Sequence, residues 1–258
     1  MGHSDGARRV TSGRFWGIDV VRGVAIIMVA LYHLIFDLDN LAGSRIESTS
    51  GFWAVFADTS AFLFVFLAGL SLSISYARTS ATTSPRLFGK YLRRGLTIFG
   101  YGMLITLVFW TLSYGAVIFG ILHLIGLSIV LAYPCLKLRF TNLCLGLAVI
   151  AIGIYLQAEE FVVGGVGGVL LAPIGILPEN LYMPDYRPLL PWFGVVLVGL
   201  FFGNVFYVVQ KNRSPLSRTP PAARPFAFLG RHTLLIYLTH QPVLIATLWA
   251  LGIVDLGF

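Results

Sequence analysis

Seven stretches of the chain are each long and apolar enough to cross a bilayer, and that leaves few folds open. A crossing helix needs about 20 predominantly apolar residues. Windows meeting this run at roughly 17–38, 52–77, 95–113, 116–135, 141–157, 191–209 and 229–254 of the 258 residues. In hydrocarbon a segment must satisfy its own backbone, which a helix does. Only 11% of residues are charged, under half the share typical of soluble domains. The expectation is an all-α, polytopic membrane protein with about seven transmembrane helices around a polar cavity. It forms a single domain over 17–258 behind a short tail, 1–16. Tyr114-Gly115 reads as a tight hairpin between the third and fourth spans. The first run follows Arg8 and Arg9 as a signal sequence would. Its length, its charges and the lack of a small-residue cleavage site favour a retained span.

The formal net charge of +7 reads as topology rather than nucleic-acid binding, since no segment interleaves basic and aromatic residues. With the N-terminus cytoplasmic, Arg8, Arg9 and Arg14 lie inside. So do Arg78, Arg86, Lys90, Arg93 and Arg94, then Lys137 and Arg139, then Lys211, Arg213, Arg218, Arg224 and Arg231. Of the 18 Lys and Arg, only Arg45 and Arg187 fall outside, and Arg22 sits in the first span near its inner end. Asp39, Glu47, Glu159, Glu160, Glu179, Asp185 and Asp255 fall outside. The positive-inside rule therefore sets the N-terminus in and the C-terminus out. The apolar run Phe161–Pro178 would reverse the last basic loop if it crossed, so it is expected to be external or re-entrant. Its glycines lack both P-loop and GxGxxG spacing.

The spans hold ionisable groups that an anchor does not need. Arg22 lies near the inner face, and His33 stands about 16 Å further out at 1.5 Å per residue. Asp37 is one turn beyond His33 on the same face. Counting from the helix ends puts Asp58, His123, His240 and Gln241 at mid-membrane or slightly outside it. An isolated charge in a membrane costs about 2.5–3.5 kcal/mol on insertion scales, and grouping around a wet pocket relieves it. A carboxylate near an imidazole fixes its tautomer and raises its basicity. Structural alternatives stay open: His33 with Asp37 as an interhelical pair, Asp58 as a helix-end cap, His123 and His240 as helix glue. Arg22 with Asp19 could be an interfacial ion pair, and Arg93 with Arg94 inner-face anchors. Trp192 and Tyr186 read as an aromatic belt, and Pro242 as a kink that frees a carbonyl. There is no HExxH, no two intramembrane histidines lie close on one helix, and Cys135 and Cys144 have no zinc spacing; no metal is expected.

The segments "IDVVRGVAIIMVALYHLIFDLD", "FADTSAFLFVFLAGLSLSIS", "FGILHLIGLS", "DYRPLLPWFG" and "FLGRHTLLIYLTHQPVLI" together resemble the heparan-alpha-glucosaminide N-acetyltransferase catalytic-domain family, over nearly the whole chain. The last three resemble motifs of its prokaryotic members. Asp58 matches an Asp before that family's second-span apolar run. The Arg22-to-His33 spacing is similar to the R-x10-H of membrane acyltransferase-3 proteins. The resemblance implies that acyl-CoA, usually acetyl-CoA, binds from the cytoplasm, that the acyl group reaches an intramembrane His, and that an amine or hydroxyl on the far side takes it.

On this reading His33, Asp37 and Asp58 are the expected catalytic group, with His33 either a general base or an acylated nucleophile. His123, His240, Gln241, Asp185 and Tyr186 are candidates for binding the thioester or acceptor. Arg22, Arg93, Arg94 and Arg231 suit the phosphates of CoA, which a planar guanidinium grips bidentately. The expected partners are acyl-CoA, a sugar, lipid or small-molecule acceptor, the lipid bilayer and, as an open alternative, a second copy in a homodimer. The expected location is the cytoplasmic membrane of a prokaryote. The competing reading is a proton-coupled transporter or flippase, since intramembrane His and Asp also relay protons; no internal repeat of the transporter kind is visible.

Overall fold

The computed structural model describes residues 15–79, 87–111, 117–159, 161, 163–176, 185–211 and 219–255. The tail through Arg14, the Tyr114-Gly115 turn, Arg86, Glu160, Pro178, Glu179, Arg213 and Arg218 lie outside them. The described residues form helices α1 (Trp16–Asn40), α2 (Gly51–Thr79), α3 (Leu87–Thr111), α4 (Ile121–Leu131), α5 (Phe140–Ala158), α6 (Gly165–Leu171), α7 (Leu189–Lys211), α8 (Arg224–Arg231) and α9 (Thr233–Ala250). Six of them, α1, α2, α3, α5, α7 and α9, are long and apolar enough to cross a membrane. The chain is a multi-pass, all-helical membrane protein. Large apolar side chains such as Leu104, Leu107, Trp110, Ile154, Leu235 and Val243 face outward, as a lipid-facing surface requires.

α2 is the hub, packing on α7, α1 and α4; α7 in turn packs on α5, and α3 on α4. Lipid tails give no hydrophobic drive for helix pairing, so close backbone approach at small residues does the work. A Cβ on Gly69 would stand 2.1 Å from the Val196 carbonyl oxygen, and one on Gly199 2.3 Å from that of Phe66. Around this seam Val65, Leu72, Leu124, Val196, Leu197 and Leu200 form the buried core.

Two expected spans are corrected. The fourth was read as one helix over 116–135, but α4 has 11 residues, too few to cross. The crossing is completed by irregular backbone at both ends. At one end Thr106 of α3 donates to the Val117 carbonyl; at the other, Tyr133 packs on Phe88 and Tyr91. Phe88 to Thr106 of α3 is about 27 Å of helix, close to the hydrocarbon thickness. Extended Gly120 precedes the helix, and Pro134 starts a 3-10 turn after it. Side chains supplement the backbone there: the Cys135 carbonyl takes the Leu138 amide and Asn142, and the Leu138 carbonyl takes Asn142 and Asn204.

The seventh span, read over 229–254, breaks at His232 (φ −106°, ψ 16°). Residues 224–231 belong to α8, which lies against the inner end of α1. A Cβ on Gly230 would come 1.7 Å from the Asp19 carbonyl oxygen, and one on Gly23 2.0 Å from that of Phe226. α6 and the 3-10 turn Ala172–Ile174 are too short to span as a helix. Leu190 is extended (φ −100°, ψ 121°), as a residue preceding proline tends to be, so the regular helix of α7 starts at Pro191.

Candidate active site

α1 presents His33 and Asp37 one turn apart on the same face. α9 presents Tyr237, His240 and Gln241 at i, i+3 and i+4, again one face. The two faces meet. The His33 and His240 rings lie 4.9 Å apart between centroids, at 61°, and Gln241 Nε2 donates to Asp37 Oδ1 at 2.7 Å. His240 Nδ1 lies 2.6 Å from the Tyr237 carbonyl oxygen. A carbonyl only accepts, so Nδ1 carries the proton and Nε2 is left with a lone pair. His33 makes ring contacts with Tyr32 and His240.

Three buried atoms on α1 and α9 have no partner among the described residues, His240 Nε2, Asp37 Oδ2 and Gln241 Oε1, and just outside them the donor Arg187 Nε is unpartnered too. Asp37 is only 2% exposed. All three are acceptors, because the Gln241 amide must turn its NH2 toward the carboxylate. Buried polar atoms are normally paired. A cluster of unused acceptors can serve a ligand rich in N–H or O–H donors.

Outside this layer runs the segment 185–187. Tyr237 donates from its hydroxyl to Asp185 Oδ2 at 2.7 Å. Arg187 pairs with Asp58 at 3.1 Å, with side chains 21% and 62% exposed, and its guanidinium stacks on Trp192, 5.1 Å from the ring centre. Tyr186 forms a β-bridge with Gly120, the Arg187 amide donates to the Phe119 carbonyl, and the Tyr186 hydroxyl donates to Ala172 O at 2.6 Å. Burial pushes the Tyr186 phenol up to about 12, so it stays a donor. Tyr186 is thus a strut that ties the segment to the turn after α6. Arg187 is close enough to act electrostatically on both His33 and Tyr237.

The roles expected for two carboxylates change. Asp37 does not hold His33; its amide partner is Gln241, which approaches from the opposing helix. Asp58 does not reach His33 either, because Arg187 stands beside it and takes its charge. His123 departs from the group as well. It is 1% exposed, in the first turn of α4, where Nδ1 accepts the Gly120 N–H at 3.2 Å and Nε2 faces Thr106 Oγ1 at 3.4 Å. Its ring stacks on Phe119, meets Phe99 edge-on and fills the notch at Gly102. Both nitrogens are engaged, so His123 caps a helix.

At the inner face Arg22 donates to Ser71 Oγ and reaches Asp19 Oδ1 at 3.5 Å, beside α8. There Arg224 and Arg231, with Thr219 and Ala227, line an open depression of about 490 Å³. Arg93 and Arg94 sit elsewhere, on the exposed side of α3, whose main neighbour is α4. Among the described residues no three His, Cys, Asp or Glu side chains gather as a metal site would need.

The family profile for the heparan-alpha-glucosaminide N-acetyltransferase catalytic domain matches residues 14–242. The chain belongs to that family. Membership implies transmembrane acetyl transfer, which a paired-imidazole layer within the bilayer suits. No curated protein and no solved structure matches the chain. Within this family member, Tyr237, Arg187 and Arg224 join the site without having been singled out from sequence. Tyr237 carried a signal, its i, i+3, i+4 spacing with His240 and Gln241; Arg187 stood out only as one of two external basic residues.

Proposed function

We propose that the protein transfers an acetyl group from cytosolic acetyl-CoA to an amine acceptor presented at the opposite face, from the cytoplasmic membrane of a prokaryote. The observation that carries this is the meeting of His33 and His240 beside three unpartnered buried acceptors. An ammonium group offers three N–H donors and the positive charge that buried Asp37 lacks, since its partner Gln241 is neutral. A lone hydroxyl offers one donor and no charge.

CoA phosphates bind at Arg22, Arg224 and Arg231, and the thioester reaches up the bundle to His33, about 16 Å above Arg22. His240 has a fixed tautomer with Nε2 free, which is what a general base needs. His33 has no such orienting hydrogen bond among the described residues and serves as nucleophile. A His33 nitrogen attacks the thioester carbonyl, the C–S bond breaks, and the thiolate leaves with the imidazole proton. The acceptor, held as an ammonium by Asp37 and Gln241, gives a proton to His240 Nε2. Its nitrogen then attacks the acetyl carbon, the bond to His33 breaks as the amine's second proton passes to the departing His33 nitrogen, and the first proton leaves His240 to solvent. Donor and acceptor never need to share a side.

The test is radiolabelled acetyl-CoA supplied to the cytoplasmic face of proteoliposomes, with an amino sugar or its hydroxyl analogue at the other. Expected are CoA release, label on the wild-type protein lost on adding amine, and neither in His33→Ala. Wild-type turnover retained in His33→Ala, or equal transfer to the hydroxyl analogue, would overturn the reading. Thermal stabilisation by acetyl-CoA, about 2.7 kcal/mol at a hundredfold excess over Kd, separates it from a transporter, for which acetyl-CoA is no ligand.

A further inference from the structure

We infer that Asp185 and Tyr237 are a positioning pair that seats His240 against His33, so that closure of the outer mouth and assembly of the imidazole pair are one event. This rests on the acetyl-transfer reading and adds a control that the reaction itself does not require.

α9 is weakly held by apolar packing. Its main neighbours are α1 and α8, and of its described residues only Leu248 is buried. Its rotation is set at Tyr237, whose ring packs on the core and meets Phe64 of α2, and by polar contacts. Gln241 reaches Asp37 on α1, and Tyr237 reaches Asp185 at 2.7 Å. Tyr237 also carries the carbonyl that holds His240 Nδ1, and its ring lies 5.3 Å from that of His240. Because Tyr237 and His240 are one turn apart, a turn of α9 that frees the hydroxyl also moves the imidazole.

Asp185 is well placed to enforce this. Its φ is +57°, a left-handed conformation that persists in a non-glycine residue when its surroundings hold it. The surroundings here are the Tyr186–Gly120 bridge, the Arg187 amide on Phe119, and Arg187 between Asp58 and Trp192. One short segment thus joins α2, the start of α4, α7 and α9 over the outer side of the imidazole layer. Its outermost fastening, Arg187 to a largely exposed Asp58, is the one solvent opens most readily. An acceptor arriving from outside lifts the segment, Tyr237 loses its partner, and His240 moves off His33. When the segment closes again the pair re-forms with the acceptor inside and bulk water out. This protects the acetyl group from hydrolysis, in which water adds to the acyl carbon and acetate, a proton and either free CoA or free His33 result.

The experiment uses the full chain in proteoliposomes and compares wild type, Tyr237→Phe, Asp185→Asn and His33→Ala. Three quantities are read: kcat and KM for acetyl-CoA, the ratio of acetate to acetylated amine, and amide hydrogen exchange at 185–187 and 237–241. Tyr237→Phe keeps the ring and the backbone carbonyl and loses only the hydroxyl. It is expected to lower kcat roughly 10- to 100-fold, the scale of a small misplacement of reacting groups. KM for acetyl-CoA stays unchanged, the acetate share rises, and exchange quickens in both segments. Asp185→Asn can still accept the phenol but loses the carboxylate that also takes the Ile121 amide, so it is expected to lower kcat in the same direction as Tyr237→Phe but by less. A Tyr237→Phe protein with wild-type kcat, acetate share and exchange overturns the pairing while His33→Ala remains inactive. If wild type itself releases no CoA, the reaction reading fails, and the exchange data alone decide whether the pair seats α9.

Discussion

Two polar clusters are buried in this bundle, one near the inner face and one in the outer half, and they use their hydrogen bonds differently. In the inner one Ser73 donates to Asn204, and Asn204 and Asn142 direct their amide N–H groups at the carbonyls of Cys135 and Leu138. Its donors are consumed by the irregular backbone that ends the fourth crossing; Asn142 Oδ1 is its one unpartnered atom. In the outer one three acceptors on two helices, and Arg187 Nε beside them, have no partner among the described residues. His123 lies in the outer half yet behaves like the inner cluster, with both nitrogens engaged. Depth in the membrane does not separate structural from functional polar groups. What separates them is whether the backbone needs them: irregular backbone at membrane depth must be satisfied from within, and groups not doing so are available for a ligand.

The comparison breaks first at the imidazoles. His240→Ala or His33→Ala should cut acetyl transfer about 10²- to 10⁴-fold, the span of general acid–base catalysis, while melting within a few degrees of wild type. CoA release measured on detergent-purified protein decides it. A variant that unfolds instead would move these histidines into the structural class with His123. Asp37→Asn comes next. It keeps the size of the side chain but removes the charge, so an amine acceptor loses about 1.5–3 kcal/mol of charge-assisted hydrogen bonding. KM for the amine should rise roughly 10- to 150-fold, with KM for acetyl-CoA unmoved.

How much of this was legible before the structure follows from the same physics. Hydropathy and length found six crossings to within a few residues at most ends, because burial in lipid is a property of whole windows. It extended the last span through Gly230, because a glycine that lets α8 touch the backbone of Asp19 looks like any other in an apolar run. It missed the short helix of the fourth crossing because Gly120 and Pro134 only hint at irregular backbone; the asparagines that make it tolerable lie on other helices. Counting residues placed His33, Asp37, His240 and Gln241 in one layer, and the structure brings them together. Counting gives depth and not rotation, so it could not show that Asp37 faces Gln241, that Asp58 is taken by Arg187, or that His123 turns toward Thr106.

The inner cluster supplies a smaller, opposite signature. Asn142→Ala strips donors from the Cys135 and Leu138 carbonyls, and each buried unpaired group costs about 1–3 kcal/mol. Asn204 still serves the Leu138 carbonyl and the Leu138 amide still serves that of Cys135, so neither is left bare and the net loss should sit at the lower end, about 1 kcal/mol. Thermal unfolding should show the destabilisation, and turnover per folded molecule should match wild type. A loss of turnover without a loss of stability would mean that the inner network serves the reaction after all.

The smallest effect concerns two sets of inner-face arginines that composition cannot tell apart. Arg224 and Arg231 flank a depression on α8, the helix that packs on the inner end of α1. Arg93 and Arg94 project from the exposed side of α3. Exposed charges contribute about 0.2–1 kcal/mol each, so Arg224→Gln or Arg231→Gln should raise KM for acetyl-CoA by up to about fivefold. The Arg93→Gln/Arg94→Gln pair should leave it within about twofold. The difference should shrink as salt rises, because screening acts on contacts with bulk access. Equal effects from both sets would mean that CoA is held by the overall positive field of the inner face, and the path up α1 from Arg22 to His33 would lose its starting point.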